Sequence, residues 1–167
     1  MTDVAVRCRL IAQVDPKLSA EVDLRPLERA AELTLAAEGL RGDFEVSLTV
    51  CDDATMQRLN ARHLGHDYPT DVLSFPLGER IGGGLSLPPS PDGVRRLGDI
   101  VVSYETARAQ AAEYAHSTAA ELTVLFVHGL LHLLGYDDQT DAERQAMQQR
   151  AAGVLSRLPD NVRGSGQ

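Results

Sequence analysis

Apolar and polar residues alternate along the chain with two different periods, and these periods predict its strands and helices. Every second residue from 44 to 50 is apolar, which is typical of a strand with one buried face. Residues 4–12 alternate less regularly and predict a first strand, and the short segments 72–76 and 98–102 predict two more. Apolar residues at helical spacing predict helices, which occupy residues 26–39, 53–65, 103–115, 117–135 and 141–155.

Capping residues mark the ends of several predicted helices. Asp53, Ser103 and Ser117 stand where three helices should begin, and each side chain can accept a hydrogen bond from a free backbone N–H group. Gly65 and Gly135 follow two helices, and glycine enters the left-handed conformation that often ends a helix without steric cost. The chain is therefore expected to reverse direction after Gly135.

The order of these elements predicts an α+β fold. We expect a single domain over residues 1–158, with helices packed on a small mixed sheet. Early strand–helix–strand units whose strands are neighbours should cross over right-handed and pair in parallel. Glycine and proline are frequent over residues 77–96, which predicts a loop or an irregular hairpin. Residues 159–167 begin with a proline and are expected to form a disordered tail.

The composition narrows the range of functions. A chain of 167 residues suits one domain with a sizeable core. The formal net charge of -8 argues against binding to nucleic acids or membranes through overall charge, although it is compatible with a local basic cleft. Lys17 is the only lysine, so nearly all positive charge is arginine, which suits bidentate contacts with phosphate.

Cysteine content and hydropathy predict the compartment. Cys8 and Cys51 are too few for a disulfide scaffold or a cysteine metal site, and reduced thiols are the default in the cytosol. The first residues lack the basic start and the apolar run of a signal peptide. The apolar stretch over residues 122–134 is too short to cross a bilayer. We therefore expect a soluble, cytoplasmic protein with no membrane partner.

Two histidines interrupt the most apolar helix of the chain. His128 and His132 are four residues apart, so they lie above one another on one helical face and their imidazoles can share a metal ion. They could instead be core histidines that hydrogen-bond to carbonyl groups. A shared metal is favoured because it would satisfy polar nitrogens of both rings within an apolar segment.

The reversal at Gly135 can bring Asp138 back toward the two histidines. Two imidazole nitrogens and one carboxylate leave one of four tetrahedral positions open, which is typical of catalytic zinc sites. The spacing of these four residues matches the metzincin pattern H-E-x-x-H-x-x-G-x-x-H/D. Gly129 occupies the position of the glutamate that these peptidases use as general base, so a zinc peptidase is a distant alternative.

Three segments of the chain resemble one bacterial family. Residues 128–137, with the sequence HGLLHLLGYD, are similar to the signature of the YbeY family of metal-dependent endoribonucleases. Residues 67–76, DYPTDVLSFP, and residues 97–101, LGDIV, resemble two further characteristic segments of that family. The matching segments occur in the order that the family has and extend over most of residues 59–138.

The resemblance implies an α+β fold that holds one zinc ion in a cleft and acts on single-stranded RNA. It also implies a role in 16S rRNA 3′-end maturation and ribosome quality control, with precursor rRNA and the small ribosomal subunit with its proteins as partners. The metal could also be another divalent transition metal, since two histidines and a carboxylate suit iron or nickel as well. A non-catalytic ribosome-assembly factor with a structural metal is the alternative.

Two positions depart from the family pattern. The third metal ligand of the family is usually histidine, and Asp138 stands at the matching position. Aspartate is a competent zinc ligand, but its negative charge should weaken the pull of the centre on a phosphate. Asp137 is the competing candidate for the third ligand. We assign it instead to a position next to the ligands, where it supports them without binding the metal. Leu64 stands where the family usually carries an arginine near the substrate.

The sequence does not identify the catalytic residues beyond the metal centre. Arg62, His63 and His66 could replace the missing arginine, but residues of these types are more often solvated at the surface. Asp71 and Ser74 are candidates for the lining of the cleft, although a Thr–Asp pair before a strand also serves in turns. The sequence therefore predicts metal ligands without naming a general base.

Overall fold

The described part of the chain comprises residues 5–64, 71–81 and 84–159 of the computed structural model, without the side chains of residues 63 and 64. The predicted α+β fold is confirmed. Its elements follow one another in the order β1 (Val6–Val14), α1 (Arg25–Ala37), β2 (Gly42–Cys51), α2 (Asp53–Leu64), β3 (Val72–Pro76), β4 (Glu79–Ile81), β5 (Gly84–Ser86), β6 (Arg95–Ser103), α3 (Tyr104–Glu113), α4 (Thr118–Leu133) and α5 (Asp141–Leu155).

The main sheet is mixed and has the strand order β1–β2–β6–β3. β1, β2 and β6 are parallel, so the first strand–helix–strand unit pairs as expected. β3 is not a neighbour of β2, because it pairs with β6 and runs antiparallel to it. The segment predicted as a loop or an irregular hairpin contains a separate two-stranded hairpin of β4 and β5.

Successive side chains of the strands point to opposite faces of the sheet, and each face packs against different helices. Phe44, Val46 and Leu48 on β2 are buried against α1 and α4, as their period of two predicts. Leu73 and Val101 point to the opposite face, where they pack against α2. α5 lies outside α1 and α4 and completes a second apolar layer. α4 is therefore enclosed by the sheet on one side and by α5 on another.

Two of the three predicted N-caps are confirmed, and one is wrong. The hydroxyl groups of Ser103 and Ser117 accept hydrogen bonds from the first turns of α3 and α4. α2 is capped by Asp52, whose carboxylate accepts from the Thr55 N–H group at 2.8 Å. Asp53 is already helical, and its carboxylate accepts from hydroxyl groups at the start of α3 instead. These two hydrogen bonds join the start of α2 to the start of α3.

Some predictions concern residues that the structure does not describe. Gly65, the predicted end of α2, and residues 160–167 of the predicted tail lie outside them. The single domain over residues 1–158 and the disordered tail over residues 159–167 stay predictions. Within the described ranges, no helix combines the length and the apolar character that a membrane span requires.

Candidate metal centre

α4 has one stripe of residues that are not buried, and this stripe carries both histidines. Between Ala120 and Leu134, every residue is buried except Val124, His128 and His132. These three residues are spaced four apart, so their side chains lie in one row along the helix. Because the remaining faces of α4 pack into the core, the packing of the helix determines the direction in which both imidazoles point.

The spacing of three side-chain atoms fits a bound metal ion. The ligand atoms of His128, His132 and Asp138 all lie within 4.8 Å of one another. The two Nε2 atoms are 3.1 Å apart, and Asp138 Oδ2 lies 3.5 Å from each of them. Ligands held tetrahedrally at zinc–ligand distances of about 2.0–2.1 Å are roughly 3.3 Å apart. The three residues are therefore already spaced as a zinc ion would require.

The state of the two imidazoles favours a cation between them. His132 Nδ1–H donates to the backbone carbonyl of Tyr136 at 2.9 Å, so the lone pair of His132 Nε2 faces His128. Burial lowers the pKa of His128, and the neighbouring His132 lowers it further. The ring of His128 is thus neutral near pH 7 and can donate a lone pair. His128 Nε2 lies 3.1 Å from His132 Nε2, so the two nitrogens are close enough to share either one proton or one metal ion.

The two aspartates after Gly135 occupy different positions. Gly135 has a φ of 101°, which provides the expected reversal of the chain. The Asp138 carboxylate faces both histidines, whereas Asp137 is exposed and accepts a hydrogen bond from the Asp138 N–H group at 2.8 Å. This bond shapes the loop that presents Asp138. Metal binding by the three ligands and the supporting role of Asp137 stay predictions.

Arg80, on the hairpin strand β4, holds the end of the metal-bearing helix. Its Nε–H group donates to the carbonyl oxygen of Leu134 at 2.7 Å, where the dipole of α4 favours a cation. A Cβ atom at Gly135 would lie 2.6–2.9 Å from three atoms of the Arg80 side chain. Glycine is therefore required at position 135 for this close approach as well as for the turn.

A buried carboxylate supports the loop from the side of α1. The Tyr136 hydroxyl donates to Glu38 Oε1 at 2.6 Å, and Glu38 pairs with Arg80 and Arg150 at 3.7 and 2.8 Å. Since the backbone carbonyl of Tyr136 accepts from His132, this cluster fixes the residue that orients a predicted metal ligand. The sequence did not indicate Glu38 or Arg80, because their partners are between 42 and 112 residues away along the chain.

We expect Tyr136→Phe to weaken zinc binding about tenfold, because it removes the hydroxyl that anchors the loop to Glu38. Competition with a chromophoric chelator measures the affinity. Tyr104→Phe is the matched control, since the Tyr104 hydroxyl donates to Glu21 at 2.7 Å in a similar bond. Both variants should lose about 1 kcal/mol of stability. Equal zinc affinities of the two variants would show that the tyrosine–glutamate bond does not orient the ligands.

Gly129 packs against the sheet and not into the space between the histidines. A Cβ atom there would lie 3.0 Å from Ile100 Cγ2 and 3.1 Å from both Ser74 Oγ and Val72 Cγ2. These distances are shorter than ordinary carbon contacts of about 3.5–4.0 Å. A glutamate at this position would have to displace β3 or β6. The metzincin base therefore has no room in this fold.

Asp71 and Ser74 face different surroundings, although both were candidates for the cleft. Asp71 lines a cavity beside His128 and accepts a hydrogen bond of 3.4 Å from Gln110. The Ser74 hydroxyl donates to the backbone carbonyl of Gly129 at 3.0 Å. Ser74 therefore joins β3 to α4, and among the described residues it is not part of that cavity lining. The geometry favours Asp71 and gives Ser74 a structural role.

The candidates near the end of α2 are only partly within the described residues. Arg62 is exposed on α2 and does not line the cavity beside His128. The side chains of His63 and Leu64 and the whole of His66 lie outside the described residues. The replacement of the family's arginine therefore stays a prediction without a structural account.

The two cysteines are not metal ligands in this fold. Cys8 and Cys51 are free and buried in the apolar layers. Burial raises the pKa of the Cys8 thiol to about 12 and that of Cys51 to about 11, so both stay protonated at neutral pH. Protonated thiols do not compete with the histidines for a metal ion.

Comparison with known proteins places the same segments in a family context. The family model described as Endoribonuclease YbeY matches residues 13–159. Among curated proteins, the Endoribonuclease YbeY of Moorella thermoacetica is 46% identical over 144 residues, which are 86% of this chain and 91% of that protein. The Endoribonuclease YbeY of Desulforamulus reducens is 43% identical over 153 residues, which are 91% and 97% of the two chains.

A solved structure shares the fold of the chain. The solution structure of TM1509 from Thermotoga maritima superposes with a TM-score of 0.55 and covers 89% of each chain. At 24% sequence identity, this similarity supports the fold alone. The mixed sheet and the helices packed on it are therefore an arrangement that has been determined experimentally in another protein.

Proposed function

Because the chain belongs to the Endoribonuclease YbeY family, we propose that it is a metal-dependent endoribonuclease that cleaves single-stranded RNA in 16S rRNA 3′-end maturation and ribosome quality control. The curated relatives are named as endoribonucleases. The match covers nearly the whole length of these relatives and of this chain. The small ribosomal subunit and its proteins are the proposed partners, and the cytoplasm is the proposed compartment.

One observation supports the catalytic part of this proposal above all others. The ligand atoms of His128, His132 and Asp138 are spaced as a tetrahedral ion requires, and they are partly open to solvent. Three protein ligands leave one position for a substrate, whereas structural zinc sites usually have four protein ligands. We propose zinc as the metal. The same donors also suit other divalent transition metals.

Each residue of the centre has a defined task in this mechanism. When bound, the metal supplies a Lewis acid that polarises a phosphate oxygen and prepares a nucleophile. His132 is kept in the tautomer that can bind by its bond to the Tyr136 carbonyl. Asp138 contributes a negative charge that partly neutralises the centre. The partial exposure of the three side chains lets the RNA reach the open position.

Cleavage assays with RNA and with protein substrates test the proposal. The metal-loaded protein should cut a single-stranded segment of precursor 16S rRNA and leave an unstructured protein intact, and a chelator should stop the reaction. A 2′,3′-cyclic phosphate on the product would identify the ribose 2′-OH as the nucleophile. A protein that unfolds on chelation but cleaves no RNA when loaded would instead be the assembly factor with a structural metal.

We expect Asp138→His to retain zinc and to raise the rate of RNA cleavage several-fold. A neutral imidazole in place of a carboxylate raises the net charge of the centre by one and strengthens its pull on a phosphate. Asp43→His is the control, because Asp43 is an exposed residue of β2 paired with Arg7. Initial rates under saturating zinc measure the effect. A fall in rate with full zinc occupancy would contradict this account of Asp138.

A further inference from the structure

A cavity of about 800 Å³ runs from the metal centre along α4. His128 and Asp138 lie at one end of its lining, and Glu121 lies seven residues before His128 on the same helix. Seven residues of helix correspond to about 10 Å, so the cavity extends about two helical turns beyond the ligands. The metal chemistry proposed above uses only the near end. The far end therefore needs a different explanation.

The middle of the cavity is apolar. Val124 and Leu125 of α4 form one wall, and Met147, Ala151 and Leu155 of α5 form the other. Val124 belongs to the same stripe as the two histidines, so this wall continues directly from the metal centre. Two apolar walls beside a reactive centre suit a flat group with little charge.

The far end is polar and acidic. It is lined by Glu121 and the amide of Gln110, and the Asp71 carboxylate is close enough to both Glu121 and His128 to act on them electrostatically. In the described lining, Arg144 is the one residue that is always cationic, and it lies at the other end, where it donates to the Asp138 carbonyl. Among the described residues, no arginine or lysine lines this end, so it offers no permanent cation to a phosphate group. The far end is therefore less suited to the RNA backbone than the metal end.

A buried pair gives the far end a fixed shape. His116 Nε2 and Glu121 Oε1 are 2.6 Å apart, and their side chains are only 4% and 3% exposed. His116 Nδ1 is buried and has no hydrogen-bond partner among the described residues. Protein side chains seldom leave such an atom unpaired. The pair therefore holds the Glu121 carboxylate in a fixed position in the lining of the cavity.

We infer that this cavity binds the base of a nucleotide next to the scissile phosphate and favours bases that carry an exocyclic amino group. The inference rests on the endoribonuclease function proposed above. The apolar walls accept the faces of the base, while the phosphates stay at the metal end. Carboxylate oxygens accept hydrogen bonds, so Asp71 and Glu121 can accept from the amino group of a base. Adenine, cytosine and guanine carry such an amino group, and uracil does not.

Substrates that differ in one base test the inference on the wild-type protein. Single abasic nucleotides are placed in turn at the positions flanking the cut of one RNA. One of them should lower kcat/KM at least tenfold. At that position, adenosine should be cleaved about tenfold faster than purine riboside, which lacks only the amino group. Unchanged kcat/KM for every abasic substrate, or equal rates for the two purines, would overturn the inference while the endoribonuclease function stands.

A variant of the cavity lining tests whether the preference for an amino group arises in this cavity. Glu121→Gln keeps the shape of the side chain but replaces one acceptor oxygen by an amide NH₂ group that cannot accept a hydrogen bond, so the ratio of adenosine to purine riboside cleavage should fall toward one. Glu113→Gln, an exposed change on α3, should leave the ratio unchanged. If Glu121→Gln does not fold, Asp71→Asn is tested in the same way. A ratio that neither Glu121→Gln nor Asp71→Asn alters would overturn the inference.

Nucleoside binding tests the base site even if the protein cleaves no RNA. Adenosine titrated into the metal-free protein should shift the methyl NMR signals of Val124 and Met147, which line the cavity, but not those of Leu48 in the core. Purine riboside should cause smaller shifts. Shifts without RNA cleavage would support the base site and contradict the proposed function. Absence of shifts at Val124 and Met147 would overturn the base site.

Discussion

His132→Ala is expected to abolish RNA cleavage and to lower zinc affinity by about two orders of magnitude or more. The change removes one of three ligands, and loss of a group that only supports a ligand already costs 10–100-fold in affinity in other proteins. The remaining His128 and Asp138 cannot complete the arrangement that the structure prepares. Zinc titration and initial cleavage rates measure the two effects side by side.

Thermal unfolding separates the loss of a ligand from the loss of the fold. His132 is partly exposed, so the metal-free variant should unfold within a few degrees of the metal-free wild type. Zinc should raise the Tm of the wild type, because a ligand that binds only the folded state stabilises it. At the same zinc concentration it should raise the Tm of His132→Ala by clearly less. Cleavage at the wild-type rate by this variant would contradict the assignment of His132.

Gly129→Glu is expected to destabilise the protein by about 4 kcal/mol or more. A Cβ atom at this position already lies 3.0–3.1 Å from Ile100, Ser74 and Val72, so the rest of the side chain has no space between α4 and the sheet. A carboxylate forced into this interface would also lack a cationic partner. Denaturant unfolding measures the difference. The variant should show no peptidase activity, although it restores the metzincin sequence.

Gly153→Glu is the matched control for this change. Gly153 also lies within a helix, but a Cβ atom there has no heavy atom within 4 Å. Replacement of a helical glycine by glutamate at an open position should stabilise the protein by about 0.5 kcal/mol. Similar stabilities of Gly129→Glu and Gly153→Glu would contradict the packing described for α4.

The sequence predicted those parts of the protein that depend on local patterns. The alternation of β2 follows from burial on one face, and the caps Ser103 and Ser117 follow from the need to satisfy free backbone N–H groups. The histidine stripe of α4 follows from helical geometry alone. The prediction of Asp53 as a cap is wrong by one residue, since Asp52 is adjacent to it and both have side chains that can cap a helix.

Long-range contacts were beyond the reach of these patterns. β3 joins β6 and not β2, because the position of a strand in a sheet depends on the packing of the whole domain. The contacts of Glu38 with Tyr136 and Arg150 bring together the residue after α1, the segment that follows α4, and α5. No local period marks such residues. The cavity along α4 likewise forms only when α3 and α5 are in place.

A crystal structure of the protein grown with zinc tests the metal centre most directly. Anomalous scattering should locate one ion about 2.0–2.2 Å from the Nε2 atoms of His128 and His132 and from a carboxylate oxygen of Asp138. Tyr136 should still accept the hydrogen bond from His132 Nδ1–H. An ion bound elsewhere, or an Asp138 carboxylate directed into solvent while both imidazoles bond to backbone carbonyls, would contradict the account.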